Sequence, residues 1–171
     1  LIGVQGRSFE EKKDAIRYIT LKKDGQDRLW YNLNKVDPAK RIYVTEGPID
    51  SMFLINGVAM QGAGWLDSYP DKIAKSDLVF VFDNEPRNRE IVDLVGKYID
   101  AGRNVVIWPE EINKKDINDM VKVYGINNTM ALVNKNVYSG LRAKMKYNYW
   151  KKVRSEEHTS ELQSRFGISY A

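Results

Sequence analysis

Residues 41–50 read RIYVTEGPID and residues 77–85 read DLVFVFDNE, and these two stretches decide the fold. Each is a run of β-branched, aromatic or other apolar residues that ends in acidic residues. The second run is apolar without interruption from its second residue to its sixth, which is typical of a strand buried on both faces of a sheet. The two stretches therefore predict parallel strands inside an α/β domain.

Helical patterns follow the predicted strands. Residues 89–102, REIVDLVGKYIDAG, place apolar residues three and four apart and end at a glycine, which indicates an amphipathic helix. Residues 104–109, NVVIWP, predict another buried strand, and residues 115–125, KDINDMVKVYG, predict another helix. Alternating strands and helices predict an α/β fold with a central, mostly parallel sheet flanked by helices.

Composition excludes several classes of protein. The chain has 171 residues, 43% hydrophobic and 29% charged, which suits one ordinary domain. No apolar run is near the roughly 20 residues that a membrane-spanning helix needs, so no membrane association is expected. The sequence has no cysteine and one histidine, which excludes thiol catalysis and sites built from several imidazoles. The formal charge of +4 weakly favours a polyanionic partner.

The two ends of the chain carry expectations of their own. Residue 1 is a leucine within a strand-like pattern, so the chain is expected to be a fragment of a longer protein. Residues 154–164, RSEEHTSELQS, and residues 168–171, ISYA, match the translation of a widely used sequencing adapter, and residues 154–171 are expected to be a cloning or assembly scar. That segment contains His158, so we expect no histidine in the functional site.

Acidic residues follow three of the predicted strands. Glu46 follows the first strand of the α/β part, Asp83 and Glu85 follow the apolar strand, and Asp116 follows the next one. The carboxyl ends of parallel strands share an edge, where open α/β sheets bind ligands. Gathered carboxylates repel each other unless a cation lies among them, and oxygen ligands suit Mg²⁺ or Mn²⁺. Further candidates for this edge, as ligands or as residues that orient ligands, are Asp50, Asn118 and Asp119.

A plainer alternative is that acidic residues at strand-to-helix junctions only cap helices. For Asp50 taken alone, capping is the favoured interpretation. Acids at three successive strand ends favour the shared site.

Several motifs resemble a known superfamily. Residues 45–50, TEGPID, and residues 82–85, FDNE, resemble the Toprim signature of primases, topoisomerases, OLD-type nucleases and recombination mediators. Glu85 stands where that signature has a second aspartate. Residues 115–119, KDIND, resemble the third acidic motif of primases. Within the superfamily, the motifs are most similar to those of primases.

Segments outside the acidic motifs carry the same resemblance. Residues 2–7, IGVQGR, and 17–20, RYIT, are similar to the basic subdomain of bacterial-type primases, and residues 138–152 resemble the C-terminal end of primases from T4-like tailed phages. The implied domains are the end of a basic N-terminal subdomain, a Toprim domain, a C-terminal helical segment and the scar, at 1–40, 41–127, 128–153 and 154–171.

The resemblance implies the function of a DNA primase, which synthesises RNA primers on single-stranded DNA from ribonucleoside triphosphates. It implies that Glu46, Asp83, Glu85 and Asp116 hold Mg²⁺ or Mn²⁺, with Glu46 either a ligand or a base. A replicative helicase is a further candidate partner, and the host cytoplasm is the expected compartment if a phage encodes the chain. Candidate nucleotide or DNA contacts are Arg7, Lys22, Lys23, Arg87 and Arg89.

Other interpretations stay open. Another Toprim enzyme, such as an OLD-type nuclease or a topoisomerase fragment, shares the acidic motifs but not the upstream basic segments. A non-catalytic module of an unrelated α/β fold would use one exposed aspartate as a phosphoacceptor or bind nucleic acid passively. The basic, aromatic residues of 138–152 are favoured as an amphipathic helix packed on the sheet, with stacking on single-stranded DNA as the alternative.

Overall fold

The computed structural model describes residues 3–8, 18–24, 29–60 and 69–151. The expected scar at 154–171 lies outside this range. The strands are β1 (Gly3–Arg7), β2 (Tyr18–Lys22), β3 (Trp30–Tyr31), β4 (Ile42–Thr45), β5 (Gly57–Met60), β6 (Leu78–Phe80), β7 (Asn104–Val106) and β8 (Val137–Tyr138). The helices are α1 (Pro48–Ser51), α2 (Arg89–Asp100), α3 (Ile117–Tyr124), α4 (Ile126–Lys135) and α5 (140–151).

Six of the strands form one sheet in the order β3-β5-β4-β6-β7-β8, and β1 and β2 pair as a separate antiparallel ribbon. The four inner strands are parallel, whereas the two edge strands run antiparallel to their neighbours. The predicted α/β class with a central, mostly parallel sheet is thereby confirmed. β3 lies in the segment 1–40 and nevertheless belongs to the central sheet.

Apolar side chains alternate between two clusters, one on each face of the sheet. Phe80 and Phe82 pack with residues of α2, whereas Val79 and Val81 pack with residues of α3 and α4. Every residue of β4, β5 and β6 is buried, as the continuous apolar run predicts. Burial of one such side chain contributes roughly 1.5–3 kcal/mol, so both faces hold the sheet in place.

The start of α2 is fixed by its cap. The side chain of Asn88 accepts a hydrogen bond of 3.1 Å from the backbone N–H of Glu90. Gly102, with φ of 72°, follows the other end and adopts a backbone conformation that glycine tolerates best. These residues bound the predicted amphipathic helix and place its N-terminus just after the acidic turn at 82–85.

The C-terminal part departs from one continuous helical segment. β8 separates α4 from α5 and pairs with β7, and the N–H of Ile107 donates a hydrogen bond of 3.1 Å to the carbonyl of Asn136. A two-residue edge strand is stabilised by pairing with its neighbour and is too short to show a strand pattern of its own. The helical spacing of the surrounding residues therefore gave no sign of β8. In α5, Trp150 and Tyr147 pack into the α2-side cluster, which confirms the packed-helix interpretation for these rings.

Within the described ranges, no helix has the length and apolar character needed to cross a membrane.

Candidate active site

Three acidic residues stand where the parallel strands of the sheet end. Glu46 directly follows β4, Asp83 lies three residues after β6, and Asp116 caps the helix that comes after β7. β4, β6 and β7 are neighbours and run parallel, so their carboxyl ends share one edge. The fold gathers acids that are up to 70 residues apart in the sequence.

Glu46 carries an unsatisfied atom. The residue is half-buried, and within the described part of the chain its Oε1 has no hydrogen-bond partner. Burial raises the pKa of Glu46, and the negative charges of Glu85 and Asp50 raise it further. A buried carboxylate oxygen without a donor is costly, so a proton or a cation would stabilise it.

Asp83 shares this electrostatic environment. Burial raises the pKa of Asp83 to about 7, and the charges of Glu46 and Asp50 contribute to the rise. Near neutral pH the carboxyl group is therefore only partly ionised when no cation is present. A perturbed carboxyl group of this kind, at a sheet edge that also holds other acids, marks a candidate functional site.

Lys115 stands between two of the acids. Its Nζ lies 3.1 Å from Oε1 of Glu85 and 3.8 Å from Oδ2 of Asp83. The hydrogen bond to Glu85 raises the pKa of Lys115, which keeps the ammonium group charged. Sequence reasoning did not select this lysine. The available signal was its position immediately before Asp116 in the KDIND motif.

Two of the candidate acids accept hydrogen bonds from backbone N–H groups at the N-terminus of α3. Asp116 accepts a hydrogen bond of 2.7 Å from the N–H of Asp119, and Asp50 accepts one of 3.0 Å from the N–H of Asn118. Both carboxylates also lie at the positive end of the helix dipole. The capping interpretation of Asp50 is therefore supported, although burial still raises its pKa. The side chain of Asp119 pairs instead with Lys122, at 3.1 Å.

The basic candidates lie on separate elements. Lys22 ends β2 and Lys23 follows it, and both are exposed. Arg87 is exposed in the loop before α2, and the Nε of Arg89 lies 3.8 Å from a carboxylate one turn further along that helix. The side chain of Arg7 lies outside the described part of the chain. Contact of these residues with nucleotide or DNA stays a prediction.

The chemistry of the acidic edge fits a hard divalent cation. The donors are carboxylate oxygens, one of them unsatisfied, and the pKa of Asp83 is raised by burial and, to a smaller extent, by nearby negative charges. Among the described residues, however, no three Asp, Glu, His or Cys side chains form a ready-made metal site. The ammonium group of Lys115 lies between Asp83 and Glu85, so these side chains must rearrange to take a cation.

Known proteins resemble this chain in sequence and in structure. No protein-family model matches it. It is 37% identical over 153 residues to the DNA primase of Enterobacteria phage T4, an alignment that covers 87% of this chain and 43% of that protein. It also resembles the crystal structure of the Aquifex aeolicus primase (zinc binding and RNA polymerase domains). That match has a TM-score of 0.56 and 17% identity, over 99% of this chain and 49% of that one.

The fold and the site define an α/β domain with carboxylates gathered at the carboxyl edge of a parallel sheet. The sequence similarity relates this domain to the DNA primase of phage T4, in agreement with the motifs. The chain spans less than half the length of the T4 relative, and the Aquifex structure, at 17% identity, supports the fold.

Proposed function

We propose that this chain is the catalytic part of a DNA primase with a Toprim fold. In this proposal it joins ribonucleotides into short RNA primers on single-stranded DNA. The observation that carries the proposal is the convergence of Glu46, Asp83 and Asp116 at one sheet edge, in a chain 37% identical to a phage primase. Nucleotidyl transfer brings several phosphate charges together, and an acidic edge suits it because it can hold the cations that neutralise them.

The proposed cation is Mg²⁺, with Mn²⁺ as a substitute. Asp83 and Glu85 would hold it, with Glu46 and Asp116 alongside. When bound, the ion supplies charge neutralisation for the phosphates and for the departing pyrophosphate. Lys115 would exchange its carboxylate partners for a phosphate oxygen of the nucleotide, which a lysine ammonium group binds as a point charge.

In the proposed reaction, the 3′-hydroxyl of one ribonucleotide attacks the α-phosphate of the next ribonucleoside triphosphate, and pyrophosphate leaves. Glu46 either accepts the hydroxyl proton or helps to hold the cation. Its pKa is raised, mainly by burial, which makes the carboxylate a stronger proton acceptor than an ordinary glutamate. Glu46→Gln distinguishes the roles: lost turnover with unchanged Mn²⁺ affinity indicates the base, and weakened affinity indicates the ligand.

Other parts of the proposal concern partners and place. Single-stranded DNA and ribonucleoside triphosphates would be contacted by the basic residues named above. A replicative helicase is a proposed protein partner, and the host cytoplasm is the proposed compartment.

Primer synthesis tests the proposal. Residues 1–153 are assayed alone and also in place of the corresponding part of T4 primase, with single-stranded DNA, labelled ribonucleotides and Mg²⁺. Short RNA is expected from the unmodified sequence and none from Asp83→Ala. The control, Asp93→Ala, changes a 61% exposed aspartate side chain on α2 and should leave synthesis intact. Equal product from Asp83→Ala would contradict the proposal, and cleavage of the template would favour a nuclease.

A further inference from the structure

Asn84 lies between two candidate metal ligands, yet it is buried, with 6% of its surface exposed. It makes three hydrogen bonds to the loop before α3. Its backbone N–H donates to the carbonyl of Lys115 at 2.6 Å, and its Nδ2 donates to the carbonyls of Ile112 and Lys114 at 2.7 Å and 3.1 Å. One residue thus joins the acidic turn to the segment that carries Lys115 and leads into Asp116.

The remaining polar atom of the Asn84 side chain faces α5. Nε1 of Trp150 donates a hydrogen bond of 3.4 Å to Oδ1 of Asn84, and Trp150 is itself buried. A second indole also contacts the acidic turn at 82–85. Nε1 of Trp108 donates a hydrogen bond of 2.9 Å to the carbonyl of Phe82. The acidic turn is therefore held from the α3 side by Asn84 and from the α5 side by Trp150.

Only an amide satisfies all of these contacts. The two loop carbonyls require N–H donors, and the indole N–H requires an acceptor. An aspartate at this position would bring a carboxylate against two carbonyl oxygens, and an apolar residue would leave buried polar groups unpaired. The network also fixes the orientation of the amide, because each of its ends meets a partner of opposite type.

We propose that Asn84 is a positioning residue for the acidic site and that Trp150 holds its amide in place, so that α5 controls cation affinity. The inference rests on the proposed function in one respect, namely that a divalent cation binds at the acidic site. Asn84 sets the spacing between the turn with Asp83 and Glu85 and the loop with Lys115. Loss of the Trp150 contact frees the amide to rotate, which loosens that spacing.

The experiment measures Mn²⁺ affinity of the full chain by titration calorimetry, without nucleotide, with thermal unfolding recorded for each variant. Partners that orient metal ligands typically contribute about 10- to 100-fold in affinity. We expect Asn84→Ala to raise the dissociation constant by about 10- to 100-fold and Trp150→Phe, which keeps an aromatic ring but removes the N–H, by about tenfold.

Tyr147→Phe is the matched control. Tyr147 lies one turn before Trp150 on α5, and its hydroxyl donates a hydrogen bond of 2.9 Å to the carbonyl of Val92 on α2. Its removal loosens the docking of the same helix without touching Asn84, so Mn²⁺ affinity should not change. Should Asn84→Ala fail to fold, Trp150→Phe and Tyr147→Phe still give the comparison.

Two results would overturn the inference. If Trp150→Phe binds Mn²⁺ as tightly as the unmodified chain, Trp150 does not position the site. If Trp150→Phe and Tyr147→Phe weaken binding equally, the effect comes from general docking of α5. Failure of the unmodified chain to bind Mn²⁺ is a different result, because it removes the proposed cation site itself.

Discussion

The ammonium group of Lys115 lies 3.1 Å from the carboxylate of Glu85, an ion pair between the loop before α3 and the turn before α2. Each partner belongs to a different strand-to-helix connection. The pair balances part of the negative charge at the acidic edge and holds a side chain that a cation would need. Lys115 therefore competes with any divalent ion for the same oxygens.

Removal of this competitor should strengthen cation binding. We expect Lys115→Met to lower the dissociation constant for Mn²⁺ by about two- to fivefold, because a partly exposed ion pair contributes about 1 kcal/mol or less. Titration calorimetry at pH 8, where Asp83 with its pKa of about 7 is largely ionised, measures the change. Lys122→Met is the matched control, since Lys122 pairs with Asp119 at the same distance of 3.1 Å. Weaker binding by Lys115→Met would mean that the lysine organises the site rather than blocks it.

The raised pKa of Asp83 predicts how stability depends on pH. In the folded chain this pKa is about 7, against 3.8 for the ordinary group. Between these values the unfolded chain loses the proton while the folded chain keeps it, so the free energy of unfolding falls as pH rises from about 4 to 7. Above pH 7 this contribution is constant. Thermal unfolding in EDTA should show a lower Tm at pH 7.5 than at pH 5.5.

Asp83→Asn should reduce the fall in the free energy of unfolding between about pH 4 and 7, because the amide has no proton to lose. A smaller fall remains, since the pKa values of Glu46 and Asp50 are raised as well. Excess Mg²⁺ should raise Tm more at pH 7.5 than at pH 5.5, because the ion favours the ionised carboxylates. Asp93→Asn, on the exposed side of α2, serves as the control and should keep the full pH dependence. A Tm that is independent of pH in the unmodified chain would contradict the shift.

Variants of Asp50 separate two effects on stability, the hydrogen bond that caps α3 and the negative charge of the carboxylate. Its Oδ1 accepts the N–H of Asn118, and an asparagine oxygen at the same position can do the same. Asp50→Asn should therefore keep the free energy of unfolding at pH 7 or raise it, because burial already disfavours the charge. Asp50→Ala removes the acceptor and should cost about 1 kcal/mol relative to Asp50→Asn. Urea unfolding of both variants measures the difference, and equal stabilities would show that the contact is not a cap.

The sequence predicted those features that depend on local pattern. The apolar run before Asp83 is buried on both faces, α2 begins at Arg89 and ends before Gly102, and the acids lie at neighbouring strand ends. Hydrophobic periodicity and cap residues encode these features directly.

The features that sequence reasoning missed depend on contacts between distant segments. The two-residue strand β8 exists only beside β7, and the hydrogen bonds of Asn84 join it to residues about thirty positions away. The ion pair of Lys115 with Glu85 has the same origin. No local pattern marks an asparagine or a lysine for such a role, because each is also common on exposed loops.

The close approach of α1 to β5 provides a last prediction, on the element next to Glu46. Gly57 begins β5, and a Cβ built there would overlap the carbonyl oxygen of Ser51, which is backbone and cannot turn aside. Gly57→Ala must therefore push α1 away from the sheet, at a cost of about 1–3 kcal/mol in the free energy of unfolding. Glu46 precedes α1 and Asp50 lies within it, so a shift of α1 should lower Mn²⁺ affinity as well. Gly6→Ala, where the nearest atom to a Cβ is 4.0 Å away, is the control in urea unfolding and Mn²⁺ titration. A Gly57→Ala variant as stable as Gly6→Ala would show that β5 and α1 are not held this closely together.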